Sequence, residues 1–569
     1  PFIRIKGSSG VNGLTFWYPE QSAENPVAYP PTTEGTGGTL ENVTFVNSWR
    51  AYTSDLAENS LYFIRNIYGT SLSVGLEIDA AFDIGRIENV HFSPAYWSES
   101  GLKGAPAANG NLKTWLYDHG VGIIMRRNDW SYLYNVSIKG YRAGFKTLVS
   151  ICKENVRKNQ KGYGNGWNDK LVIEHCQNAI EIDNASSGMG ISFSRLTVTD
   201  CENGLVCSDA FADKLQFLAS TISANKDAIR CPGNGIIQMQ SSKIISGRLR
   251  FENGSLLMTD CDLENGAPQL ALSADVKNAA LVGNRFRGEP QIQIDPKLKM
   301  GSNVVIDHSP KILERMSPYP YRVPDTRTAA KRTLFSVAEA PYNAKGDGVS
   351  DDTSALLKAL DDAGKNGGGI VFLKPGEYRI TEGLKVPTGV ELRGSFEAQH
   401  RMEPKGSVIF VAAGKGSENG TPFITLSTRS GVRGLSFHYP EQDHAAVSPY
   451  PFLIRGNGSG VYVVNVTASC VYQFIDLATV RCDDHYVDYA AGAPLKAGVL
   501  VGGGSVNGRV YNVQFNPSYF TFTRTYSNSF PRTGDRSGMS KAYHSYEWTN
   551  HIAFGFGNCS GEIIHANFV

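Results

Sequence analysis

Residues 11–21 read VNGLTFWYPEQ, and residues 432–442 read VRGLSFHYPEQ. Two more matching pairs follow in the same order: ENVTF at 41–45 with VNVTA at 464–468, and RIENVHFSPAYW at 86–97 with RVYNVQFNPSYF at 509–520. The separation is 421 residues for the first pair and 423 for the other two. Because order and spacing both persist, we conclude that the chain contains two copies of one domain.

Short apolar strands recur along the chain between Leu171 and His308, with Gly, Asn and Asp between them. Their spacing of ~20–30 residues is typical of a solenoid, in which each coil buries its inward side chains against the next. Asparagine suits the tight corners because it tolerates a left-handed backbone. The sequence therefore predicts an all-β fold of two tandem right-handed parallel β-helix domains, truncated at both ends of the chain.

The repeat and the composition also predict the domain boundaries. We expect a first β-helix domain over residues 1–308, a Pro-rich linker over 309–340 and a second β-helix domain over 341–569. A helix over 353–363 opens the second domain. From the register of the two copies, we expect the first to lack its N-terminal cap region and the second its C-terminal coils.

Composition excludes some classes of partner. The 569 residues carry a formal net charge of +1, and 19% of them are charged, so nothing favours nucleic acid or an anionic membrane surface. No apolar run approaches the ~20 residues that a membrane-spanning helix needs. We therefore predict no nucleic-acid partner and no membrane span.

Several of the nine cysteines are separated by about the length of one coil. Cys152, Cys176 and Cys201 lie 24 and 25 residues apart, and Cys207 and Cys231 lie 24 apart. This spacing favours one small buried residue per coil over a disulfide framework, because free cysteine behaves as a small hydrophobic residue. No CxxC or Cys/His pair has ligand spacing, so we predict no metal site.

One stretch resembles a known family. AKGDGVSDDTSALLKAL at 344–360, followed by GGGIVFLKPGEYRI at 367–380, is similar to the opening of pectate-lyase-superfamily (type 3) β-helix domains. That superfamily includes glycoside hydrolase family 28-related proteins, family 55 exo-β-1,3-glucanases and tailspike-like proteins. The resemblance implies a protein that handles polysaccharide. Two such domains in one chain are similar to the paired β-helices of family 55 enzymes. No catalytic residue of family 55 has a match here.

One acidic stretch is the best candidate for hydrolytic chemistry. Glycoside hydrolysis needs two carboxylates across a sugar, and alternate positions on one strand provide such a pair. In GLEIDAAFD at 75–83, Glu77 and Asp79 alternate with apolar residues, so both should point away from the core. The second copy reads GVLVGGGSV and has no acid there. We predict that Glu77, Asp79 and Asp83 are catalytic, with solvated outward-facing acids as the alternative.

Other acids have weaker claims. Glu20 and Glu441 recur in the same YPEQ context, which favours a shared structural corner over two active sites. Glu174, Glu181 and Asp183 follow one another on successive coil strands and are the alternative acidic face.

Aromatic residues crowd the first copy and predict substrate contacts, because aromatic rings stack on the apolar faces of sugars. The candidates are Trp17, Trp49, Tyr96, Trp97, Trp115 and Trp130. Packing of long loops is the other interpretation. Arg127, in the run Arg126-Arg127 beside Asp129-Trp130, is a candidate for binding an acidic sugar.

Together these features favour a secreted glycoside hydrolase that cleaves a polysaccharide, for example a β-1,3-glucan-like polymer, without a cofactor. One alternative is a polysaccharide lyase or epimerase on uronates, which needs a cation to stabilise a carbanion. A non-catalytic, tailspike-like carbohydrate-binding β-helix is the third.

Overall fold

The computed structural model describes all residues except 7–8, 55–58, 60–61, 82–83, 108, 154–161, 187, 310–326, 396–405, 444–445, 470, 517–544 and 566. The chain divides into two compact units, Pro1–Tyr321 (unit 1) and Arg322–Val569 (unit 2). The predicted all-β architecture of parallel strands is confirmed.

The regular elements of unit 1 are almost all strands. They are β1 Ile3–Lys6, β2 Gly10–Asn12, β3 Thr15–Phe16, β4 Thr33–Thr36, β5 Thr39–Thr53, β6 Phe63–Ile78, β7 Arg86–Phe92, β8 Val121–Met125, β9 Ser131–Lys139, β10 Ala143–Thr147, β11 Gly166–Glu174, β12 Asn178–Ile182, β13 Ile191–Ser194, β14 Thr197–Cys207, β15 Lys214–Leu218, β16 Thr221–Cys231, β17 Ile236–Gln240, β18 Lys243–Thr259, β19 Asp262–Leu263, β20 Leu270–Val282, β21 Arg285–Phe286, β22 Ile292–Ile294 and β23 Val304–Asp307. Two short helices, α1 Ala95–Ser98 and α2 Asn111–His119, lie between β7 and β8.

Unit 2 repeats this construction. Its strands are β24 Leu334–Ser336, β25 Asp347–Asp351, β26 Gly369–Phe372, β27 Gly376–Ile380, β28 Leu384–Val386, β29 Val390–Arg393, β30 Ser407–Val411, β31 Ile424–Ser427, β32 Gly431–His438, β33 Phe452–Asn457, β34 Tyr462–Ala468, β35 Gln473–Leu477, β36 Tyr486–Gly492, β37 Ala497–Val501, β38 Ser505–Val506, β39 Arg509–Tyr511, β40 Gln514–Phe515, β41 Ile552–Phe556, β42 Cys559–Ser560 and β43 Ile563–His565. The expected helix runs Thr353–Lys365 (α3), and strand β24 lies inside the predicted linker.

Each coil stacks on the next through inward-facing apolar side chains. In unit 1 one such column passes through consecutive parallel ladders and is buried along its whole length: Ile123, Phe145, Ile180, Leu205 and Ile229. Burying one side chain of this size stabilises the fold by roughly 1.5–3 kcal/mol. The core of unit 1 is thus one apolar cluster that continues from coil to coil.

Asparagines form a second column at a corner of unit 1. The side-chain amides of Asn12, Asn42, Asn66, Asn89 and Asn135 are joined in series by hydrogen bonds of 2.7–3.0 Å. The last four have φ between 53° and 56°, the left-handed conformation expected of asparagine at a tight corner. We call these five residues the asparagine stack.

The cysteines behave as predicted. All five of the spaced cysteines are buried and free, and the backbone N–H of Cys176 donates to Sγ of Cys201 at 3.4 Å. Burial raises the pKa of Cys207 well above its usual range. Cys470 lies outside the described residues.

The sequence repeat coincides with repeated geometry. Gly10 pairs with Thr39 in unit 1, and Gly431 pairs with Tyr462 in unit 2. In each YPEQ segment the glutamine amide hydrogen-bonds the backbone six residues ahead, through both its nitrogen and its oxygen: Gln21 with Val27, and Gln442 with Ser448. The rings of Tyr18 and Tyr29 lie 4.8 Å apart, and those of Tyr439 and Tyr450 lie 4.9 Å apart. The YPEQ segment is therefore a structural corner in both units, and Glu20 and Glu441 are exposed on it.

The exact domain limits and the handedness of the coils stay predictions.

Candidate functional site

A cleft of about 480 Å³ lies in unit 1. It is formed by the turns that precede β9, β11, β13 and β15, which pair in parallel one after another. Because the starts of parallel strands meet at one edge of a sheet, these turns converge although they span residues 127–213. Its polar lining comprises Arg127, Asp129, Tyr163, Asn184, Ser186 and Asp213.

Arg127 provides a cation in the wall of this cleft. Its Nη2 lies 3.3 Å from Oδ2 of Asp129, and its Nη1 donates to the carbonyl of Ala81 at 3.4 Å. The two side chains are 21% and 32% exposed, so solvent and solutes reach both. Partial burial makes such a guanidinium a stronger anion ligand than a fully hydrated one, because there is less screening by water.

Tyr163 provides a proton donor. Its hydroxyl donates to Oδ2 of Asp183 at 2.7 Å. Partial burial, together with the hydrogen bond to Asp183 and its negative charge, raises the pKa of Tyr163 to about 12. The phenol therefore keeps its proton throughout the neutral range.

Two further turns of the lining are joined by hydrogen bonds and carry a carboxylate. Oδ2 of Asp213 accepts the N–H of Gly188 at 3.1 Å, and Oδ1 of Asn184 accepts the N–H groups of Ala185 and Ala212 at 2.9 and 3.1 Å. The cleft thus combines one guanidinium, two lining carboxylates and one phenol. This set can bind a carboxylated sugar and transfer protons. Within the described ranges, no three His, Cys, Asp or Glu side chains are grouped to hold a metal ion.

Glu77 is held in a buried ion cluster. It is 3% exposed and contacts Arg50 from the preceding coil, while Nε of Arg126 donates to it at 2.6 Å from the following coil. Removing one partner from such a cluster leaves an uncompensated buried charge, which is strongly destabilising. Glu77 is therefore not a solvated acid.

Asp79 is completely buried. Its Oδ2 accepts the N–H groups of Ile151 and Cys152 at 2.8 and 2.9 Å, and its Oδ1 accepts the N–H of Ala80 at 2.7 Å. Burial raises the pKa of Asp79, and these hydrogen bonds oppose the rise. Asp83 lies outside the described residues. Catalysis by Glu77, Asp79 and Asp83 stays a prediction, and the contacts of the first two favour a positioning role.

The predicted aromatic residues do not gather in the cleft. Trp97 is buried, and Trp17 and Trp49 pack against the core. The Trp115 ring lies 6.1 Å from that of Trp49, and its Nε1 donates to the carbonyl of Leu72. These contacts favour the alternative interpretation, packing of loops against the coils.

Two of the remaining predicted residues have different surroundings. The Tyr96 ring lies 5.9 Å from that of Tyr68, away from the cleft lining. Trp130 follows Asp129 directly, and its backbone N–H donates to Oδ1 of Asn165 at 2.5 Å. Among the predicted binding residues, Arg127 is the one that lines the cleft.

Sequence reasoning did not select Tyr163, Asn184, Ser186 or Asp213. They lie in Gly- and Asn-rich turns whose composition is typical of any coil corner. The acidic-face alternative came closest, since it included Asp183, the partner of Tyr163.

Unit 2 contains the corresponding strands but lacks the charged side chains at the positions of Glu77 and Arg127. It repeats the strand pair that carries Glu77, with Leu500 in its place. In the same register, Asn558 takes the position of Arg127. The charged arrangement is therefore a property of unit 1 and not of the repeated fold.

Comparisons with known proteins find one family model, which matches part of unit 2, and several curated relatives. Residues 335–425 match the family model described as rhamnogalacturonase A/epimerase, pectate lyase-like. Alginate lyase 7 and mannuronan C5-epimerase AlgE5, both of Azotobacter vinelandii, are each 40% identical to this chain over 75 residues, which is 13% of this chain and 8% and 6% of theirs. A probable glucan endo-1,3-beta-glucosidase of Arthroderma benhamiae is 35% identical over 91 residues, 16% of this chain and 9% of its own.

This chain thus spans less than a tenth of the length of each of these relatives. No helix among the described residues is long and apolar enough to cross a membrane. The family match over 335–425 and the parallel all-β fold confirm that the protein resembles the pectate-lyase superfamily of β-helix proteins.

Proposed function

We propose that this protein is a polysaccharide-acting enzyme whose unit 1 cleft binds a uronic acid polymer and performs lyase or C5-epimerase chemistry. The observation that carries the proposal is Arg127, a partly exposed cation beside Asp129 in the same cleft as the protonated Tyr163. The likeness to an alginate lyase and a mannuronan C5-epimerase supports the same substrate class.

The two reactions share their first step. A base removes the proton at C5 of a uronate, and the electron pair of that C–H bond moves toward the adjacent carboxylate, whose charge increases. A cation bound to this carboxylate stabilises the developing charge. In elimination the C4–O4 bond then breaks and O4 takes a proton. In epimerisation C5 takes a proton back from the opposite face.

The cleft residues fit these steps. Arg127 binds the sugar carboxylate, because a guanidinium matches a carboxylate with two parallel hydrogen bonds. Asp129, which contacts Arg127, is our candidate for the base. Tyr163 donates a proton to O4 or to C5, as its high pKa keeps the hydroxyl protonated.

Glycoside hydrolysis, which the sequence favoured, becomes the second candidate. It is supported by the two carboxylates that line the cleft, Asp129 and Asp213, and by the likeness to a probable glucan endo-1,3-beta-glucosidase. We rank it lower because hydrolysis of a neutral glucan gives Arg127 no role. Secretion stays a prediction that fits a polymeric substrate.

The test uses the full chain and a panel of polymers: polymannuronate, polygalacturonate and β-1,3-glucan. Two signals are followed together, new reducing ends and the ultraviolet absorbance of unsaturated sugars. Both signals on a uronate indicate a lyase. Neither signal, with a changed ratio of C5 epimers by nuclear magnetic resonance, indicates an epimerase. Reducing ends alone would show a hydrolase, and binding without any reaction would show a carbohydrate-binding β-helix.

A further inference from the structure

Two short backbone stretches support Tyr163 in the cleft. Residues 148–152 follow β10, and residues 162–163 line the cleft just before β11. The N–H of Ser150 donates to the carbonyl of Gly162 at 3.0 Å, which ties the first stretch to the residue that precedes Tyr163. We call these two stretches the cleft base.

Asp79 binds backbone N–H groups of the cleft base. Its carboxylate accepts two successive N–H groups, those of Ile151 and Cys152, which are 72 and 73 residues away along the chain. A carboxylate that accepts several backbone N–H groups fixes their positions because both oxygens are acceptors. In an asparagine one of the two oxygens becomes an NH2 group, which would face the N–H of Ala80 or, in the other orientation, those of Ile151 and Cys152.

Arg126 binds a backbone carbonyl of the same stretch. Its Nη1 donates to the carbonyl of Val149 at 2.8 Å, and its Nε donates to Glu77. Glu77 therefore fixes the orientation of the guanidinium that donates to the cleft base. Glu77 at the end of β6 and Asp79 just after it thus act on neighbouring residues of one segment, Glu77 through Arg126 and Asp79 directly.

Unit 2 shows that the coil itself does not require these acids. Its strand pair has the same register, with Leu500 at the position of Glu77 and Gly502 at that of Asp79. Buried charges that the repeated coil can omit need a separate reason in unit 1, because their burial carries a desolvation penalty.

We propose that Asp79 and Glu77 are positioning residues that, through the cleft base, fix the hydroxyl of Tyr163 in the cleft. The inference rests on the proposed function and assigns these acids a role other than contact with the substrate.

A double-mutant cycle on the full chain tests it. Asp79→Asn should lower kcat on the active polymer by roughly 10- to 100-fold, the usual effect of displacing a catalytic group by about 1 Å. In the Tyr163→Phe background the same change should lower kcat less than about 2-fold, because the group that it positions is gone. Equal effects in the two backgrounds would overturn the proposal.

Asp260→Asn is the matched control. Asp260 is buried like Asp79 and is paired with Arg285 as Glu77 is with Arg126, but it lies outside the cleft lining. Its substitution should lower the thermal midpoint without coupling to Tyr163. If Asp79→Asn does not fold, Arg126→Lys replaces it in the cycle, since lysine cannot bridge Glu77 and Val149 as the guanidinium does.

Hydrogen exchange separates this inference from the proposed function. In Asp79→Asn, amide exchange should rise in peptides covering 148–152 and 162–166, and should stay unchanged around 236–240 in β17. This readout needs no activity, so increased exchange in a protein that neither cuts nor epimerises any polymer would retain the positioning role and remove the proposed function. Unchanged exchange at 162–166 would overturn the positioning role.

Discussion

At the scale of single residues, the guanidinium of Arg127 has the clearest expected effect. Arg127→Ala removes the cation that binds the sugar carboxylate, so we expect kcat/KM on a uronate polymer to fall by roughly 100-fold or more. Arg142→Ala is the control, because Arg142 is similarly exposed and ion-paired with Glu181 but lies outside the cleft lining. Equal activity of the two variants would exclude Arg127 from the site.

The phenol of Tyr163 gives a pH prediction. Its pKa is raised from 10.0 to about 12, so the folded state favours the protonated phenol. This contribution to stability is complete below pH 10, the unfolded value, and is lost as the pH rises through about 12. The tyrosinate absorbance of the wild type minus that of Tyr163→Phe should therefore titrate near pH 12. Tyr117→Phe, which removes another tyrosine paired with a carboxylate, is the control. A difference titration centred near pH 10 would contradict the Tyr163–Asp183 contact.

At the scale of structural elements, the asparagine stack should contribute measurably to stability. Asn89 is bonded to Asn66, Asn135, Tyr68 and His91, and it has φ of 53°. Asn89→Ala loses these bonds and strains the left-handed backbone, which together cost about 2–3 kcal/mol.

Asn89→Gly separates the two causes in the same denaturation measurement. Glycine accepts the left-handed backbone but lacks the amide, so it should cost less than alanine. Equal losses for the two variants would show that the amide bonds alone matter. No loss in either would contradict a structural role for the stack.

Elements were largely predictable from local pattern. Coil spacing predicted the parallel strands, and the intervals between cysteines predicted a column such as Cys176 on Cys201. The column of amides could not be predicted, because it depends on the register between coils, which sequence spacing fixes only to within a residue or two. The helix over 353–363 was predicted two residues short at its C-terminal end.

At the scale of the whole molecule, the repeat was visible in the sequence and the cleft was not. Matching YPEQ segments predicted two copies of one domain, and the ladders of Gly10 and Gly431 have the same register. The cleft needs turns from four coils, so its residues share no local signal. Alternation along β6 singled out Glu77 and Asp79, but their burial depends on Arg50, Arg126 and residues 151–152, which lie 27 to 73 positions away in the sequence.

The most direct test of the central claim is hydrogen exchange at C5 of a uronate. The full chain is incubated with polymannuronate in heavy water, and the polymer is analysed by nuclear magnetic resonance. We expect deuterium at C5 of the recovered sugar, or unsaturated ends that have lost the C5 hydrogen, and neither with Arg127→Ala. Reducing ends from β-1,3-glucan, with every C5 hydrogen of the uronates retained, would contradict the claim and establish a hydrolase.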